Sequence, residues 1–138
     1  MKRGDLMDTS VIDHKKIELN KTHDYLSSHL NLPERFKNTI LTDVLFLLEH
    51  YYDSIDMLVL FGSCARGTWK WSSDVDILIL SKDHLPKQNK IDIRAELCEI
   101  VDRVSTDVVF YTYDTFKNSE KKIVAEIKKD GLILWKKE

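Results

Sequence analysis

Two small clusters in this 138-residue sequence could do chemistry on a phosphate. The first is Gly62-Ser63, which directly follows the apolar run Met57-Leu-Val-Leu-Phe61. A strand that ends in a small-residue turn and enters a short helix presents backbone N–H groups with no internal partner. The helix dipole favours an anion at that end. Gly62 has no side chain, so a phosphate can approach the backbone closely. The Ser63 hydroxyl can donate to a phosphate oxygen, and Gly67 can close a helix of about one turn. Arg66 is a candidate charge for the nucleotide or for a carboxylate.

The second cluster is Asp74-Val75-Asp76. Alternate residues of a strand share a face, with α-carbons ~6.6 Å apart. Two carboxylates so placed repel each other unless a cation lies between them. Hard Mg²⁺ takes oxygen ligands and shares itself with substrate phosphates. Two such ions ~3.5–4 Å apart clamp the attacking and leaving oxygens of an in-line displacement. Asp107 opens another apolar stretch, Val-Val-Phe-Tyr. An acid leading a strand built for burial calls for a partner, and a strand beside the second one would make Asp107 a third carboxylate. Each element alone also has a plainer reading: a Gly-Ser turn, a pair of solvated acids, and an exposed first residue of a strand.

These residues must be held by a small set of elements. Asp8-Thr9-Ser10 supplies N-cap chemistry after a loose start at 1–8. Ile12, Leu19, Leu26 and Leu30 follow at helical spacing, as one long helix or two short ones. Pro33 suits the first turn of a new helix. Phe36, Ile40, Leu41, Val44, Leu45, Leu48 and Tyr52 then repeat near 3.6, which predicts a helix over 33–52. Residues 57–61 and 74–80 read as strands, 89–104 as an amphipathic helix, 106–112 as a third strand, 119–130 as a helix and 131–135 as a last strand at a sheet edge. The expected class is α+β: a mixed sheet of about four strands flanked by helices, with an N-terminal helical extension over 1–32 and one domain over 33–138.

Composition narrows the partners. Hydrophobic residues make up 43%, charged residues 32%, and the formal net charge is −2. That suits a globular chain with a real core and gives no sign of a polyanion-binding protein. The C-terminal lysines alternate with Glu120, Glu126 and Asp130, the pattern of a solvated helix face rather than a nucleic-acid stripe. No apolar run approaches the ~20 residues of a membrane span. The start, Met-Lys-Arg-Gly-Asp-Leu, has no apolar stretch after its basic residues, so no secretory signal is expected. Cys64 and Cys98 make neither a disulfide framework nor a zinc site. A reducing, cytoplasmic setting follows. The histidines lack metal-ligand spacing.

Together, Gly-Ser, ten residues, then Asp-x-Asp resembles the signature of the polymerase-beta-like nucleotidyltransferases. Four fixed positions of this kind arise by chance in roughly one chain in several hundred. Gly-Ser-x-Ala-Arg-Gly at 62–67 and Ser-Asp-x-Asp-Ile-Leu at 73–78 look most like the minimal branch, the MNT domains. The resemblance covers about residues 35–138. It implies that Gly62 and Ser63, with Arg66 and Ser73, bind the nucleotide. It implies that Asp74 and Asp76 bind two Mg²⁺ ions, and that Asp107 helps hold one metal and deprotonates the attacking hydroxyl. The implied reaction is transfer of a nucleoside monophosphate, in the simplest case AMP from ATP, to a hydroxyl acceptor.

MNT proteins often act as antitoxins of HEPN ribonucleases, which makes a HEPN-type partner protein the expected acceptor. The chain has no Arg-x(4–6)-His pair of the HEPN kind, so it would be the MNT half. Two other readings stay open from the residues: a non-catalytic module that binds nucleotide or occludes a partner, and a small-molecule (aminoglycoside-like) nucleotidyltransferase that completes its pocket as a homodimer. Trp69 and Trp71 suit stacking on a base, anchoring a partner or capping the core. Lys70 either reaches the triphosphate or faces solvent.

Overall fold

The computed structural model describes residues 3–100 and 104–138. A long helix α1 (Arg3–His29) and a second helix α2 (Glu34–Tyr51) lead into β1 (Met57–Phe61). Then come a five-residue helix α3 (Gly62–Arg66), β2 (Val75–Ser81), α4 (Lys87–Leu97), β3 (Thr106–Thr112), α5 (Tyr113–Asn118), α6 (Lys122–Asp130) and β4 (Leu132–Lys136). The strands form one sheet in the order β3-β2-β1-β4. β1 runs antiparallel to β2 and β4, while β2 and β3 are parallel, so the sheet is mixed and β4 lies at its edge, as expected.

The strands are almost wholly apolar because both faces of the sheet are covered. Leu58, Leu60, Ile77 and Ile79 belong to the main core with Leu26 of α1, Phe36, Ile40, Val44, Leu47 and Leu48 of α2, and Ile93 and Leu97 of α4. Val59, Phe61, Leu78 and Leu80 pack on the other face with Ile127 of α6, backed by Ile123 and Phe116. Each fully buried Leu or Ile contributes about 1.5–3 kcal/mol relative to exposure. Period-2 alternation therefore divides one strand between two cores.

The structure corrects several boundaries. The first helix begins at Arg3 and continues through the expected cap at Asp8–Ser10 as a single helix. The helix expected over 89–104 ends at Leu97, with Cys98 as its cap. Ile93 and Leu97 reach the core, but Ile100 at the next periodic position is 69% exposed. Val101 lies outside the described residues, and Val104 is already a buried bridge residue leading into β3. The helix expected over 119–130 starts at Lys122. Before it stands a separate turn of helix, α5, capped by Thr112 Oγ1, which accepts from Thr115 N at 3.2 Å. In α2 the buried stripe runs through Leu47 rather than Leu45, and it includes three polar residues, Arg35, Thr39 and Asp43.

Among the described residues no helix is long and apolar enough to cross a membrane. Cys64 and Cys98 are both free thiols.

Candidate active site

The C-terminal end of β1 and the N-terminal ends of β2 and β3 meet at one edge of the sheet. Phe61 pairs with Asp76, and Asp76 in turn pairs with Asp107 in parallel register. The sheet thus brings the phosphate-loop candidate and two of the candidate carboxylates side by side. Asp74 stands two residues before Asp76, just outside β2.

Gly62 opens α3 with φ +76°. A Cβ there would lie 2.2 Å from Asp76 Oδ2 and 3.1 Å from its Cγ. The carboxylate is therefore pressed against the bare backbone of the loop, and glycine is required twice, by conformation and by space. Gly67 ends the helix in the left-handed region at φ +77°, with its N–H donating to the Ser63 carbonyl. This is the one-turn helix expected from the sequence, and Ser63 sits in it as its second residue.

The carboxylates feel one another. The Asp76 carboxyl is pushed up to about 6, first by burial, then by the negative charges of Asp107 and Asp74, with Arg66 opposing. Arg66 is thus placed as a charge acting on a carboxylate. Asp74 Oδ1 accepts from Ser105 Oγ at 2.7 Å, which ties it to the residue just before β3. Ser73 shapes the approach to this pair: its Oγ accepts from Lys70 N at 2.7 Å and its N–H donates to the Lys70 carbonyl.

Asp107 is solvent-exposed. Burial therefore does not demand a partner for it, contrary to the sequence argument; its place beside Asp76 comes from strand register alone. Cys64 lies beneath the loop, and burial followed by the Asp76 charge pushes its thiol up to about 11. At that value it is a buried structural thiol, not a nucleophile.

The donor set suits a hard divalent cation. It is all carboxylate oxygen, and a cation would relieve the repulsion that raises Asp76. Among the described residues no three ligating side chains already stand close enough to hold a metal ion. Asp76 and Asp107 are adjacent in register, while Asp74 is engaged with Ser105.

Two polar residues on α2 escaped the sequence reading. Asp43 is 7% exposed and accepts a short hydrogen bond from Thr106 Oγ1, at the start of β3. Burial pushes its carboxyl up to about 7, against the lowering effect of that bond. Arg35 is 8% exposed, with its guanidinium 4.1 Å from the Phe36 ring and 4.0 Å from the Trp71 ring. Both left a trace in the sequence. Asp43 is a charge three residues beyond Ile40, on the apolar stripe. Arg35 is a cation in the first turn of a helix, the end that disfavours it. Trp71 is 63% exposed; Trp69, 38% exposed, packs against Phe36 at 5.5 Å between ring centroids. Trp69 thus covers a core residue, whereas Trp71 lies against Arg35 and faces solvent. Lys70 is exposed.

Comparison with known proteins bears on the family and the fold. The family model described as nucleotidyltransferase domain matches residues 39–134. The protein of Methanocaldococcus jannaschii named "Putative protein adenylyltransferase MJ1305" is 39% identical over 71 residues, which are 51% of this chain and 47% of that protein. The match thus spans about half the length of this curated relative. Among solved structures, a chain of a toxin–antitoxin complex with AMP-PNP superposes with a TM-score of 0.53 at 23% identity, over 70% of this chain and 73% of that one. A chain of the toxin–antitoxin MntA-HpeT, in a mutant form, gives a TM-score of 0.52 at 23% identity, over 70% and 72%. At these identities the structural likeness is one of fold.

Proposed function

Because this chain belongs to the nucleotidyltransferase domain family, we propose that it transfers a nucleoside monophosphate, in the simplest case AMP from ATP, to a hydroxyl on a partner protein. The observation that carries the reading is the placement of Asp76: in register with Asp107 on the neighbouring strand and pressed against the backbone of Gly62. That arrangement puts carboxylates and a phosphate-accepting loop at one point, which a solvated pair of acids would not need.

In the proposed reaction the acceptor oxygen bonds to the α-phosphorus of ATP. The bond from that phosphorus to the oxygen bridging to the β-phosphate breaks, and pyrophosphate leaves. Gly62 and Ser63 cradle the phosphates through backbone N–H groups and the hydroxyl. Arg66 and Ser73 flank the nucleotide. Asp74, Asp76 and Asp107 would hold Mg²⁺, which when bound would neutralise triphosphate charge and acidify the acceptor hydroxyl. Asp107, exposed beside Asp76, takes the acceptor's proton. Positioning and charge stabilisation do most of the work, as in other phosphoryl chemistry.

For the acceptor we propose a HEPN-type toxin, with this chain as the antitoxin half of the pair. Support comes from a relative named as a protein adenylyltransferase and from fold neighbours found in toxin–antitoxin complexes. The setting we propose is the cytoplasm, which two free thiols suit.

The test is incubation with α-phosphate-labelled ATP, Mg²⁺ and host lysate, comparing wild type with Asp74→Asn and Asp76→Asn. Label is expected on a discrete protein band with wild type alone. An active Asp74→Asn/Asp76→Asn double variant would refute the assignment, and absence of label with any nucleotide would favour a binding module.

A further inference from the structure

The loop over residues 68–73 joins the phosphate-loop helix to the carboxylates, and it carries no regular structure of its own. Something must fix it if Asp74 and Asp76 are to stand in one place. We infer that Arg35 is that element: a positioning residue of α2 that clamps the 68–73 loop and so sets the carboxylates against Gly62 before a ligand arrives. The inference rests on the transfer reading and adds a residue to its machinery.

Arg35 is an expensive residue to keep where it is. It is nine-tenths buried, and it stands in the first turn of α2, where the helix end repels a cation. Among the described residues it has no carboxylate partner, and its Nη1 is buried without a hydrogen bond. Stability alone would favour an apolar residue there.

Nearly everything that compensates this charge belongs to the loop. Nη2 donates to the Trp71 carbonyl at 2.5 Å and approaches the Lys70 carbonyl at 3.5 Å. The guanidinium lies against the Trp71 ring on the loop and the Phe36 ring on its own helix. Phe36 also receives the Trp69 ring. The same Lys70 carbonyl accepts from Ser73 N, which closes the turn just before Asp74. Below, Cys64 Sγ donates to the Asp74 carbonyl at 3.6 Å, and the Arg35 charge is felt at that thiol. The clamp thus acts on the backbone that leads into Asp74. A planar fork that stacks and donates at once is a role lysine does not fill.

The test uses the whole chain with Arg35→Lys, Arg35→Met and Trp71→Leu. The first readout needs no ligand: limited trypsin digestion, with cleavage after the exposed Lys70 followed by mass spectrometry. The second is ATP affinity by titration calorimetry, with Mg²⁺ and with EDTA. Variants that keep the wild-type circular dichroism spectrum should be cut after Lys70 about tenfold faster. They should lose about tenfold in Mg²⁺-dependent ATP affinity while changing less than about twofold in EDTA. Folded variants with wild-type protection at Lys70 and Mg·ATP affinity within about twofold overturn the inference. If Arg35→Met does not fold, Arg35→Lys and the exposed-ring variant Trp71→Leu decide the matter. If the wild type binds no nucleotide, the transfer reading fails, and the Lys70 cleavage pattern still decides whether Arg35 clamps the loop.

Discussion

Gly62→Ala is the change whose consequences the structure constrains most tightly. At φ +76° an L-residue pays roughly 1–2 kcal/mol for the left-handed backbone. The added Cβ would also meet Asp76 Oδ2 at 2.2 Å, where ordinary contact begins at 3.4 Å. Either the carboxylate retreats by about 1 Å or the loop does, and a misplacement of about 1 Å in a reacting site costs on the order of 100-fold in rate. Gly67→Ala supplies the control. Its φ is +77°, so the backbone cost is the same, but nothing lies within 4 Å of its Cβ. Thermal melts should therefore fall by a similar few degrees in both variants. Labelled-nucleotide transfer should drop about 100-fold in Gly62→Ala and stay within about twofold in Gly67→Ala. Equal transfer by the two variants would mean that the contact between Asp76 and the loop has no part in the chemistry.

Four further outcomes are expected. Asp76→Asn should abolish transfer with the fold intact by circular dichroism. Mg²⁺ at about 100 times its dissociation constant should stabilise the wild type by about 2.7 kcal/mol in a melt near pH 7.5 and leave Asp76→Asn unmoved. In EDTA, the melting temperature should fall as pH rises from about 5 to 8. The reason is that Asp43 and Asp76 have folded values raised to about 7 and about 6: their contribution is complete below the ordinary 3.8 and is lost as pH climbs through the raised values. Asp43→Asn should flatten the upper part of that decline, and Asp76→Asn the lower part. Thr106→Val removes the hydrogen bond that the buried Asp43 carboxyl receives and should cost about 1–3 kcal/mol, read as a shift in denaturant midpoint at unchanged slope.

Much of this site could be read in the sequence because local rules and tertiary structure agree there. Met57-Leu-Val-Leu-Phe61 is apolar on both faces and forms the strand expected, and Gly62 and Gly67 bracket the one-turn helix that their conformations permit. Asp107 was legible only in part. Its position was inferred from a burial argument that its exposure removes, whereas its proximity to Asp76 comes from a parallel register set by the α4 crossover. The end of α4 was misplaced because Ile100 continues a helical period that no longer faces the core. α5 was missed because its cap, Thr112 to Thr115, follows directly on a β-branched strand. Arg35 and Asp43 lie on a stripe whose periodicity is carried by its hydrophobic members. Their partners, the Trp71 carbonyl and Thr106, are 36 and 63 residues away in sequence, beyond any local pattern.

We propose that Asp76, seated between Gly62 and Asp107, serves nucleotidyl transfer. The most direct measurement is a paired labelling of the isolated chain plus acceptor with ATP carrying the label on the α- or the γ-phosphate, in Mg²⁺. The α-label should become fixed to the acceptor, with pyrophosphate released in equal amount, and the γ-label should not. Label retained from the γ-phosphate, or equal α-labelling by Asp76→Asn, would contradict it.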